Sequence, residues 1–208
     1  MPFDPTPHLV PAKCGLLVFE CQEGVIGEKS PLRGLHADVA RRGLVAHLAS
    51  LLGAARQCGV LVIYCNAAFR MGGPAAPWTP QSDQSVPTGI GSIDPGPVID
   101  ELAPHPDDLV IDRVHGMSAF YGTPIEPALR NRGVETLVPT GVSVNIAILA
   151  TTVEATNRGL RVVVPRDCVA GDPGSYADDV LRYSLRNLAY LSNAGDIAAA
   201  WRAQRGSS

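Results

Sequence analysis

The 208 residues show no bias toward one sign of charge: 17 Lys and Arg stand against 20 Asp and Glu, for a formal net charge of −3. The basic residues are scattered and form no run, so the pattern offers no surface for nucleic acid or an anionic membrane. Long apolar runs are also missing. Residues 1–13 carry four prolines and no basic segment followed by an apolar stretch, so neither a secretory signal nor a membrane anchor is expected there. A cytoplasmic location is the expectation. Cysteine is sparse and odd in number. Cys14, Cys21, Cys58, Cys65 and Cys168 include no C-x-x-C spacing, which argues against a disulfide framework and a zinc cluster and for small buried thiols. No metal or other cofactor is expected, since His8, His36, His47 and His105 show no ligand spacing.

What is present is an alternation of short apolar runs and helical patterns. Residues 15–20 form a continuous apolar run of strand length that ends in Glu20, suited to a strand covered on both faces. A helix is predicted over 37–57, with Leu44, Leu48, Leu51 and Leu52 on one side and Gly59 at its stop, and it leads into a strand at 60–64. Further strands are predicted at 109–112, 135–138 and 161–165, with helices over 125–131 and 146–158 between them. A last amphipathic helix is predicted over 176–191. Repeated units of this kind imply a three-layer α/β/α domain with a central, mostly parallel sheet, one domain over residues 1–208 behind an N-terminal extension at 1–13. Ligands in such sheets bind beyond the carboxyl ends of strands, where Glu20, Cys65, Arg113 and Gly141 are expected. Residues 66–106 are rich in Pro and Gly and too long for an ordinary connection. They read as a lid or pocket wall, or as a wrap over the sheet edge, anchored by Phe69, Met71 and Trp78.

Three stretches carry the chemistry. The first, 16–24, contains Glu20-Cys21-Gln22; the second, 110–123, contains Arg113, His115, Ser118-Ala119-Phe120 and Gly122-Thr123; the third runs Gly141-Val142-Ser143-Val144-Asn145-Ile146-Ala147-Ile148 and continues to Asp167. In this order they resemble the isochorismatase-like hydrolase superfamily, which includes cysteine hydrolases. The resemblance implies a Rossmann-like sheet, a small-molecule substrate and a homo-oligomer. It places Glu20 where the family has a catalytic Asp, Arg113 where it has a Lys and Ala147 where it has the nucleophilic Cys. It also implies a cis peptide between Val142 and Ser143, and an oxyanion hole built from the backbone N–H groups of Ser143 and Ala147.

A methyl group neither attacks a carbonyl nor carries a proton, so Ala147 excludes the thioester route of the cysteine members. Isochorismatases proper, which also lack the Cys, cleave a vinyl ether with an acidic residue as proton donor, and Glu20 is the candidate for that role. Three readings stay open at this point. Glu20 activates water or protonates substrate while Arg113 holds a small anion; or Glu20 and Arg113 form a buried ion pair in a catalytically inactive paralogue that binds a small anion or a protein partner; or Cys21, Cys65 or His115 takes over. His115, Phe69 and Trp78 are candidates for contact with the ligand. A guanidinium beside Glu20 lowers its proton affinity, so an acid role requires burial or an anionic substrate to reverse that effect.

Overall fold

The computed structural model describes residues 4–68, 79–80 and 94–205. Strand β1 (Cys14–Phe19) is buried along its whole length, and its side chains alternate between two cores. Leu16 and Val18 join one core, while Leu17 and Phe19 join the other. That two-sided burial is the physical reason the run is apolar without alternation. Beside β1 lie β2 (Leu61–Ala67) and then β3 (Leu109–Arg113) on one side. On the other lie β4 (Thr136–Val142), β5 (Arg161–Pro165) and β7 (Tyr190–Ser192), with the two-residue β6 (Val169–Ala170) pairing onto β4. Among the described residues every pairing between these strands is parallel. The order β3-β2-β1-β4-β5-β7 reverses direction beside β1, and this is where the ligand crevice of such a sheet opens.

Helices cover both faces, giving the three-layer α/β/α sandwich that the alternation implies. One face carries α1 (Glu23–Ile26), α2 (Arg33–Arg42), α3 (Leu44–Cys58) and the last helix, α7 (Ala194–Ala203). The other carries α4 (Ile125–Asn131), α5 (Leu149–Asn157, entered by a π-helical turn at Val144–Ile148) and α6 (Gly174–Asp179). Among the described residues no helix is long and apolar enough to cross a membrane.

The observed elements correct the predicted ones in four places. The helix predicted over 37–57 is two helices broken at Gly43, whose φ of 59° lies in the left-handed region that a glycine enters at little cost. The strand predicted to stop at Val138 continues through Pro139 to Val142, because parallel pairing with β1 extends to Phe19 and Gly141. Likewise β2 runs two residues past Cys65, so that thiol lies inside the strand and not at its tip. The helix predicted over 176–191 ends early: α6 widens into a π-helical turn at Val180–Ser184, tightens at Leu185–Asn187, and gives way to β7 on the sheet edge. Pairing of Tyr190, Leu191 and Ser192 with Val163, Val164 and Pro165 outweighs the local helical pattern. The described part of the N-terminal extension packs on this frame. Leu9 enters the core, and the carbonyl of His8 accepts a hydrogen bond from Thr136 Oγ1 at 2.8 Å.

Candidate active site

Glu20 is the residue at which β1 leaves the sheet, and its backbone turns there: a φ of 47° makes it, among the described residues, the non-glycine residue with positive φ. The turn keeps its N–H bonded to the carbonyl of Cys65 at 3.2 Å. Its carboxylate pairs with Nη2 of Arg113, the last residue of β3. Arg113 is a buried cation, its side chain only 2% exposed, whereas that of Glu20 is 19% exposed. The guanidinium also donates through Nε to the carbonyl of Gly116 at 2.9 Å, lies 3.8 Å from Cys65 Sγ, and stands 5.2 Å from the Phe19 ring centre. The structure therefore brings Glu20, at the carboxyl end of β1, and Arg113, at that of β3, together beside Cys65 within β2.

Two opposing effects act on the Glu20 carboxyl. Burial raises its proton affinity above the ordinary carboxylate range, and the Arg113 charge works against this without cancelling it. Burial thus outweighs the guanidinium charge at this carboxyl. Cys65, by contrast, is pushed up to about 11, chiefly by burial, so at neutral pH it is a protonated thiol and a poor nucleophile. Cys21 belongs to the core on the opposite face of the sheet, and burial raises it strongly too.

The third stretch begins in β4, which pairs with β1 on the side away from β2. Val142-Ser143 is a cis peptide, as the resemblance implies, and Ser143 opens the π-helical turn, its carbonyl accepting from the N–H groups of Ile146 and Ile148. Ala147 is buried in that turn and shares the core containing Phe19 and Cys65. Gly141 lets β4 approach β1: it has a φ of 92°, and a Cβ there would stand 2.1 Å from the Phe19 carbonyl oxygen. His115 is exposed, its ring tilted against Tyr121 at 5.5 Å. Phe69, Met71 and Trp78 lie outside the described residues, as does most of the segment expected to be a lid. Among the described residues, no group of three His, Cys, Asp or Glu side chains is placed to hold a metal ion. A cavity of about 740 Å³ opens elsewhere, among Asp4, Leu9, Arg166, Ser192, Asp196 and Ala200, and shares no lining residue with the Glu20 cluster.

One residue of this region was not assigned a role from sequence. Gln22 is buried and bonded to two other chain segments, and its only sequence signal is its place in Glu20-Cys21-Gln22.

Known proteins carry the same frame. The family model described as Isochorismatase domain matches residues 14–195. A ureidoacrylate amidohydrolase of Methylobacterium radiotolerans is 32% identical over 73% of this chain, which spans 65% of that protein, just under two thirds of its length. A maleamate amidohydrolase of Pseudomonas putida is 28% identical over 76% of this chain and 72% of its own. Among solved structures, a cysteine hydrolase from Pseudomonas syringae pv. phaseolicola superposes with a TM-score of 0.75 over 98% of this chain and 96% of its own, at 21% identity. An isochorismatase family protein from Burkholderia thailandensis does so with a TM-score of 0.73 over 92% and 96%, at 25% identity. With its sheet order and the match across residues 14–195, the chain belongs to the isochorismatase family of hydrolases.

Proposed function

We propose that this chain is a small-molecule hydrolase that works without the family's cysteine nucleophile, using Glu20 to move protons. The observation that carries the reading is the Glu20 carboxyl itself: it stands at the tip of β1, partly open to solvent, and burial raises its proton affinity beside a buried cation. Raised proton affinity suits both halves of acid–base work near neutral pH. In the acid mode, Glu20 protonates the substrate, water adds to the cation that forms and gives a proton back to Glu20, and the adduct then breaks its bond to the leaving group. In the base mode, Glu20 takes a proton from water as its oxygen attacks a carbonyl, then returns it to the leaving nitrogen. Either mode leaves the enzyme unchanged and adds one water to the substrate.

Ala147 occupies the nucleophile's place in this reading, and the backbone N–H groups of Ser143 and Ala147 receive the developing oxyanion. The names of the two amidohydrolase relatives make small carboxylic acids with an amide or ureido bond the first class to test, followed by vinyl ethers. The ligand is anionic in this account. The same reading carries one domain over residues 1–208, a homo-oligomer and a cytoplasmic location.

A specific observation favours a second reading, an inactive paralogue that binds an anion or a protein. Arg113 is closed over by Glu20 and the Gly116 carbonyl, as an ion pair kept only for structure would be. A panel of amides, ureido acids and vinyl ethers, followed by product formation and by calorimetry, separates the two. Turnover of any member supports the hydrolase. Saturable binding without turnover across the panel overturns it in favour of the second reading.

A further inference from the structure

We infer that Gln22 is a positioning residue for the Glu20–Arg113 pair, because its side chain fixes the backbone rung on which Arg113 is registered. This rests on the reading of Glu20 as the proton-handling group. Gln22 is 3% exposed and follows Glu20 by two residues. Its Nε2 donates to the carbonyls of Ala67 at 3.0 Å and Gly96 at 2.7 Å, while its Oε1 accepts from the Ala67 N–H at 2.8 Å. One carboxamide thus takes both polar groups of Ala67, as a neighbouring strand would, and uses its second N–H on the chain returning at 94–98.

Ala67 is the register partner of Arg113 in the β2–β3 ladder, and the next N–H, that of Ala68, donates to the Arg113 carbonyl at 2.9 Å. The same bracket is reinforced on the backbone. Gln22 bridges Val98, the N–H of Glu23 donates to the Pro97 carbonyl at 2.9 Å, that of Gly24 to the Pro95 carbonyl at 2.8 Å, and that of Ile99 to the Cys21 carbonyl at 3.0 Å. A Cβ on Gly24 would lie 1.9 Å from the Asp94 carbonyl oxygen, so the two segments touch at backbone distance. Glu20 thereby sits between two fixed points: its carboxylate meets Arg113 from one side, and Gln22 sets from the other where the Arg113 backbone stands. No other uncharged side chain offers the combination. Asn is one methylene short, Glu lacks both donors, and Met keeps the shape without a hydrogen bond.

The test is Gln22→Met in the full chain, with two readouts that need no substrate. Amide exchange at Ala67, referenced to Leu137 in β4, is expected to rise on the order of tenfold or more as the partner is lost. The titration midpoint of Glu20, followed by its carboxyl ¹³C shift, is expected to move by about half a unit or more as Arg113 is displaced. A faster Ala67 amide with an unchanged Glu20 midpoint would make Gln22 ordinary scaffold and overturn the inference; an unchanged Ala67 amide would overturn it too. Should Gln22→Met fail to fold, Gln22→Asn carries the same readouts with the same signs. A substrate panel without turnover would remove the hydrolase reading and leave these two measurements to decide Gln22.

Discussion

Replacing Arg113 with Met removes the cation and keeps an apolar stem of similar reach. Its side chain is 2% exposed, so the guanidinium's partners, the Glu20 carboxylate and the Gly116 carbonyl, lose a donor that water replaces poorly. Breaking a fully buried pair from one side costs about 3–5 kcal/mol. The Glu20 side chain, at 19% exposure, retains some hydration, which places the loss near the low end, about 3 kcal/mol. For a chain of this size that is a fall in melting temperature of roughly 6–12 °C. The pH dependence follows from sign. A carboxyl whose folded proton affinity is raised contributes stability below its unfolded pKa, and that contribution is lost as pH rises through the folded value. Removing Arg113 raises the folded value further, so the deficit relative to wild type is larger at pH 8 than at pH 5. Urea unfolding at both pH values measures it, and adding Glu20→Gln to the variant should recover part of the loss. A deficit below about 1 kcal/mol, or one equal at the two pH values, would refute the picture of a buried, charge-compensated pair.

Gly141→Ala should destabilise by about 2–4 kcal/mol in thermal or urea unfolding, since its φ of 92° strains an L residue and the added carbon meets the Phe19 carbonyl. A loss under about 1 kcal/mol would mean that the approach of β4 to β1 is not close. Four cysteines are buried and Cys58 is half-buried, so a disulfide reagent should label one thiol rapidly in the native protein and the rest only on unfolding. Rapid labelling of Cys65 would contradict its placement. Asp38 is buried; desolvation works against its charge, but hydrogen bonds from Arg42, the Gly171 N–H and Arg41 prevail and hold its carboxyl below the ordinary range. Its contribution is therefore present above the unfolded pKa and lost as pH falls through the folded one. Asp38→Asn should lose about 2–4 kcal/mol at pH 7 and progressively less below about pH 4, and a gap independent of pH would refute the assignment.

The layered fold was legible because the central strands, β1 above all, are buried on two faces and mostly apolar, and β1, β5 and α4 lie within a residue of their predicted bounds. Where two energies compete, the sequence alone misleads. Pro139 looks like a strand stop, yet its place in β4 is decided by pairing with Leu17. Tyr190 and Leu191 continue a helical pattern, yet the free edge of β5 draws them into β7. The helix α7 was missed outright; its Ala-rich stretch holds only two large apolar residues, Ile197 and Trp201, which with Ala194, Ala198 and Ala200 join the core that α3 lines. Glu20 and Arg113 were legible from their places at strand ends, and their pairing from opposite charge. The balance between burial and that charge was not, since it depends on how much protein surrounds the carboxyl. Gln22 stood in a motif without a role, because its three partners are backbone atoms far away in sequence.

The central claim is that proton transfer by Glu20, with no protein nucleophile, carries the reaction. Its most direct test is kcat/KM for a turned-over member of the panel, measured with wild type and with Glu20→Gln, which keeps the shape and cannot exchange the proton. The account predicts a loss of roughly 10²–10⁴-fold. Turnover by Glu20→Gln equal to wild type would contradict it.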